Sequence, residues 1–169
     1  MYGDYTTYVS FYGDSGLQEA DYRRHGIKAD RLMDAHTTTI DGVKKLKSYY
    51  PTDEDDIELV RLCHAEIVNL LWQVEEAEKA AQSVRGYEAT DNGMRGKAIA
   101  SVSAGNESIS YSASGGSGNS TAIDKAIADQ NELNQQIMSI VRTYLSSVGD
   151  SNGINLLYKG RYPVCTETQ

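Results

Sequence analysis

The chain has 169 residues, 16 basic and 24 acidic side chains, a formal net charge of −8 and 40% hydrophobic residues. That length suits one domain around one core, and no apolar run approaches the roughly 20 residues that span a bilayer. The start, Met1-Tyr2-Gly3-Asp4, lacks the basic and apolar stretches of a signal peptide. Two cysteines, Cys63 and Cys165, make no disulfide framework and fit a reducing cytosolic setting. Broad binding to phosphate backbones rests on Lys and Arg, so the acidic balance argues against a nucleic-acid-coating protein.

The acidity is uneven, with net charges of −7 over residues 1–89 and −1 over 90–169. Twelve tyrosines stand against one Phe and one Trp. Tyr joins a large apolar ring to a polar tip, so it suits either a modest core or surfaces that are covered at contacts.

In chain order, Tyr5, Tyr8 and Tyr12 fall on one face if the first segment is helical. Gly13-Asp14-Ser15-Gly16 breaks that segment. Ser15 and Gln18 read as a capping box for a helix from about Leu17 to Ala35, with Tyr22, Gly26, Ala29, Leu32 and Met33 on its apolar side. A weaker helical pattern, Ile40, Val43, Leu46 and Tyr50, ends at Pro51. The strongest element follows. Thr52 and the acidic run Asp53 to Asp56 suit the positive end of a helix, and Ile57, Val60, Cys63, Ile67, Leu70, Leu71 and Val74 then recur at steps of three and four. The pattern reaches about Val84, a helix roughly 45–50 Å long at 1.5 Å per residue.

Between Gly86 and Ser120 the chain holds seven Gly and eight Ser, too long a stretch for an ordinary connection. Lys97 to Ser103 and Glu107 to Ser112 alternate apolar and small polar residues, which favours a short hairpin over coil, with Ala104-Gly105-Asn106 as its turn. Thr121 and Asp124 cap a last helix whose stripe includes Ile127, Leu133, Ile137, Val141 and Leu145. Beyond the turn formers Asp150 to Gly153 comes an apolar and basic segment, Ile154 to Pro163, that calls for a docking groove on its own subunit or another. The expected organisation is a mainly α chain. Residues 1–150 form one antiparallel helical bundle with an inserted loop at 86–120, and 151–169 an extended docking tail.

Little in the sequence announces catalysis. His25, His36 and His64 are expected in different elements and at spacings unsuited to one metal. Metal, phosphate-loop and nucleophile-elbow signatures are lacking, so no enzyme activity, cofactor or metal is expected. Cys63 reads as a small buried hydrophobe and Cys165 as a loose thiol. The basic group Arg23, Arg24, Lys28 and Arg31 fits pairing with Asp53, Glu54 and Asp55 of the same or a neighbouring subunit better than contact with DNA, which the total charge repels.

Several of these features occur in one order: Asp4-Tyr5-Thr6-Thr7-Tyr8, a capped helix, a long helix, Ser108-Ile109-Ser110-Tyr111-Ser112, a final helix, then Leu156-Leu157-Tyr158-Lys159-Gly160. Over nearly its whole length the chain resembles the head–tail connector (adaptor) proteins of long-tailed bacteriophages and prophages. Gly115 to Ser120 stands out as extra length against that family. The resemblance implies a non-enzymatic structural protein of the virion neck, assembled in the bacterial host cytoplasm as a ring, typically a dodecamer. Such a ring lies below the portal protein, extends the DNA channel without specific DNA binding, and receives the stopper or tail-completion protein. It further implies portal or subunit docking through Ile154, Leu156, Leu157, Tyr158, Lys159, Gly160, Arg161 and Tyr162. Val102, Ile109 and Tyr111 would form a loop interface, and the charged groups named above would pair between subunits. The alternatives are another neck protein (a stopper or tail-completion protein) and a small helical enzyme or metal-binding protein.

Overall fold

A computed structural model describes residues 1–13, 16–83, 85–90, 93–103, 108–112 and 129–163, the stretch from 80 to 112 by its backbone. Among these residues the chain is mainly helical. The described helices are α1 (Tyr5–Tyr12), α2 (Glu19–Thr37), α3 (Lys45–Ser48), α4 (Glu54–Ser83) and α5 (Gln130–Leu145). Two compact units emerge, one of Met1–Trp72 with Asn131–Gln169 and one of Gln73–Gln130. This division differs from the expected 1–150 and 151–169: the segment after Gly153 belongs to the first unit.

In the first unit, Asp4 opens α1 by accepting the Thr7 amide at 2.8 Å, which satisfies one of the unpaired donors of the first turn. Tyr5, Tyr8 and Tyr12 form a row on α1, with Tyr8 fully buried and its hydroxyl donating to Asn69 Oδ1 on α4 at 3.0 Å. Tyr22 of α2 lies against both Tyr5 and Tyr8, its ring 5.7 and 5.4 Å from theirs. On α2 the apolar side is as expected for Tyr22, Gly26, Ala29 and Met33, all buried, while Leu32 is half-buried. Its N-cap is Gln18, with no side-chain cap bond; Ser15 lies outside the described residues.

The expected helix through Ile40 and Val43 is absent. Gly42 adopts φ +84°, a left-handed conformation that a right-handed helix does not contain, and it closes a turn in which the Thr39 amide donates to the Val43 carbonyl at 3.0 Å. Only Lys45–Ser48 is helical there, and Ile40 stands 82% exposed. At the start of α4, Asp53 Oδ1 accepts the amides of Asp55 and Asp56, so the side-chain cap is Asp53, expected in the first turn after Thr52, and the acidic first turn is Glu54 to Asp56. Val60, Cys63 and Ile67 are fully buried, as are Ile137, Val141 and Leu145 on α5, so the three- and four-residue periodicities mark the core. Cys63 has the expected role: burial pushes its thiol up to about 12, so it stays protonated and apolar in character.

After α5 the chain doubles back. Asp150 donates its amide to the Ile154 carbonyl at 2.8 Å and Leu156 to the Val148 carbonyl at 2.9 Å, around Gly153 at φ +75°. In the second unit, β1 (Arg85–Thr90), β2 (Gly93–Ser103) and β3 (Ser108–Ser112) are antiparallel neighbours in the order β1-β2-β3. Val102 pairs with Ile109 and Ile99 with Tyr111, with a register shift between Ile99 and Ser101. The expected turn at Ala104–Asn106, the Gly115–Ser120 stretch and the Thr121–Asp124 cap lie outside the described residues.

Candidate functional site

The C-terminal segment is held by polar anchors that sequence periodicity does not reveal. Lys45 is completely buried, and its ammonium donates to the carbonyls of Asn155 and Tyr158, both at 2.7 Å. Burial pushes this lysine down to about 8; the charge of Asp150 opposes the shift and that of Lys159 adds to it. A cation deprived of water needs charge-assisted bonds, and two short ones to backbone oxygens offset part of that cost, the remainder appearing as the lowered pKa. Lys159 acts in the reverse direction. Its ammonium donates to the carbonyls of Ala35 and Thr38, at 3.1 and 3.4 Å, where α2 ends with unpaired acceptors. The Ile40 amide in turn donates to the Lys159 carbonyl at 3.0 Å.

Asp150 is the second buried charge. It accepts the Asn152 and Ile154 amides, both at 2.9 Å, and the Tyr162 hydroxyl at 2.7 Å. Burial and then the Asp150 bond push the Tyr162 phenol up to about 12. The Tyr162 amide donates to both Asp41 oxygens, at 3.3 and 3.2 Å. Thr39 first, and then that amide, hold the Asp41 carboxyl below its ordinary range against an opposing desolvation. Leu156 completes the anchoring with a side chain fully withdrawn from solvent.

The docking residues expected from the sequence therefore divide. Leu156 and Tyr162 are buried against their own chain; Ile154, Leu157 and Gly160 are half-buried; Tyr158, Lys159 and Arg161 are exposed. The tip of the exposed Tyr158 side chain lies over Gly160, in the space that a Cβ there would take. Ile40, which sequence analysis placed on a helix, stands beside this segment and is the most exposed large apolar side chain of the described residues. Lys45, Asp41 and Asp150 were missed: a lysine in Lys44-Lys45-Leu46-Lys47 and an Asp among turn formers both read as solvent-facing.

A second polar cluster lies under the N-terminal residues. His64 is fully buried, with Nε2 3.3 Å from both Asp30 Oδ1 and the Gly26 carbonyl, and Nδ1 3.3 Å from the Tyr22 hydroxyl. Burial pushes the Asp30 carboxyl up, but His64 and the Tyr2 amide outweigh it, and the carboxyl ends below its ordinary range. The three side chains come from positions up to 42 apart, which is why no local motif announced them. Gly3 lies so close over the ring that a Cβ would come 2.7 Å from His64 Nδ1. With every ring nitrogen engaged and the ring covered, the cluster works as a polar brace between α2 and α4.

Of the charged groups expected at an interface, Arg23, Lys28, Arg31, Asp53, Glu54 and Asp55 are all exposed; Arg24 is exposed and bonds Asp21 at 3.0 Å. Among the described residues no group of three or more His, Cys, Asp or Glu side chains is arranged to hold a metal. Val102 and Ile109 are register partners across β2 and β3, while Tyr111 pairs with Ile99. Comparison with protein-family models, with curated proteins and with solved structures gives no match.

Proposed function

We propose that this chain is a structural, non-enzymatic neck protein of a phage virion, a head–tail adaptor whose copies form a ring under the portal and join the head to the stopper and tail. In this reading its helices form an antiparallel bundle and the 86–120 insertion faces neighbouring subunits or the stopper. The net charge of −8 lets DNA pass along the ring without adhering. The reading rests first on the order of motifs that resembles the adaptors, ending in Leu156-Leu157-Tyr158-Lys159-Gly160.

One structural observation supports it most. The C-terminal segment is pinned from beneath by Lys45 and Asp150 while Tyr158 and Arg161 stand outward next to Ile40. A segment held in place before it meets a partner binds with less ordering cost than a free tail. The mainly helical character favours an adaptor over stopper and tail-completion proteins, which are richer in strands. Mixing the purified protein with the portal protein of the same genome and imaging by electron microscopy tests the reading. It predicts a ring seated on the portal; two species that never associate contradict it.

A further inference from the structure

Two exposed patches of opposite sign sit on different elements of the first unit. Arg23, Ile27 and Arg31 are four apart on α2 and share one outward stripe, with Lys28 beside it. Ile27 is 50% exposed and lines a shallow cleft between α2 and α3 whose charged residues are Arg31 and Lys47 on one hand and the half-buried Asp30 and Asp34 on the other. The exposed stripe itself, Arg23, Ile27, Lys28 and Arg31, has an apolar centre and cationic flanks, with the less exposed Asp30 and Asp34 in the cleft beside it. The other patch is the start of α4, where Asp53, Glu54, Asp55 and Glu58 are exposed and Ile57 and Leu59 are half-buried. Among the described residues no ion pair engages Arg23, Lys28, Arg31 or Lys47, nor any of those four acids.

The geometry points to a head-to-tail contact in which the basic, apolar-centred face of α2 on one copy receives the acidic first turn of α4 from a second copy. Charge complementarity selects this occupant. A chain of net charge −8 repels another copy and any nucleic acid at long range. An attractive contact between copies must therefore come from local opposite patches, and these two are complementary and differ from each other. Unlike patches give a heterologous interface, which repeats from copy to copy instead of stopping at a dimer. Ile27 at the centre, excluding water, and charges at the rim match the anatomy of specific interfaces. The contact deepens the adaptor reading by naming the surfaces that join neighbours, but it needs no portal, so its test stands apart from that reading.

The experiment is sedimentation velocity of the whole chain without portal, over a range of concentration and salt. Wild type should associate, and raising salt from about 0.05 to 0.5 M should weaken association at least ~10-fold, because exposed charges are screened beyond a few ångström at high salt. The double variants R23E/R31E and E54R/D55R should each remain monomeric with unchanged circular dichroism. The fourfold variant R23E/R31E/E54R/D55R, which exchanges the two charges, should associate again. A wild type that stays monomeric throughout overturns the proposal. So does association that persists in R23E/R31E, or failure of the fourfold variant to recover.

Discussion

Tyr49 and Tyr162 stack with ring centroids 4.6 Å apart and planes 6° from parallel, which fastens the end of α3 to the far C-terminal segment. The Tyr162 hydroxyl simultaneously reaches buried Asp150. One side chain thus closes a loop of more than a hundred residues by packing and a twelve-residue one by a charge-assisted bond.

Tyr162→Ala should therefore cost about 3 kcal/mol of stability, in the range for truncating a buried aromatic ring. Tyr162→Phe, which keeps the stack and loses only the hydroxyl, should cost about 1 kcal/mol. Urea unfolding followed by circular dichroism measures both; equal, negligible losses would mean that the segment is not part of the folded unit.

Lys45→Met should remove the donor for two backbone carbonyls and destabilise the chain by about 1–3 kcal/mol. Its pH dependence is more diagnostic. The folded lysine releases its proton at about 8, against an ordinary value of 10.5. Between these values the unfolded chain binds the extra proton, so stability rises with pH across that window. Tyr162 and Tyr50 act oppositely, since burial raises both and the folded chain keeps protons that the unfolded one loses above about pH 10. Unfolding free energy should climb from pH 8 toward 10 and fall beyond, and the climb should vanish in Lys45→Met.

Gly3→Ala places a methyl group 2.7 Å from His64 Nδ1 and 3.1 Å from the Tyr22 hydroxyl. Relief requires moving either the N-terminal residues or a fully buried ring, at a cost of about 1–3 kcal/mol. A thermal melt reads this directly, and an unchanged melting temperature would show that residues 1–4 do not cover His64 in solution.

Glu66 on α4 is half-buried and takes the Tyr12 hydroxyl as a donor. Burial raises its carboxyl, so the folded chain holds a proton that the unfolded chain gives up, and stability is lost as pH rises above the ordinary 4.5. Glu66→Gln removes that loss. The variant should gain relative to wild type between pH 4.5 and 7; parallel curves would place Glu66 in free solvent.

The legible parts of this structure were those governed by periodicity. α2, expected from Leu17 to Ala35, spans Glu19–Thr37, and α4 spans Glu54–Ser83 against an expected end at Val84. Their buried stripes are apolar residues at helical spacing, a signal local enough to read directly. Ile40 was misplaced because apolar spacing ran through Gly42, and the left-handed turn there overrode it. The polar anchors were illegible for a different reason. Lys45 meets Asn155 and Tyr158 more than a hundred residues away, and Asp30 meets His64 across two helices. Whether a charged side chain is solvated or buried depends on such distant partners, and nothing within a few residues of it records them.

The central claim is that this protein joins head to tail. If the adaptor reading holds, its gene lies among phage structural genes, and deleting it there and inspecting the particles by electron microscopy tests this most directly. The account predicts DNA-filled heads and free, complete tails that fail to join, and joining restored when the gene is supplied in trans. Intact tailed particles produced without the protein would contradict it.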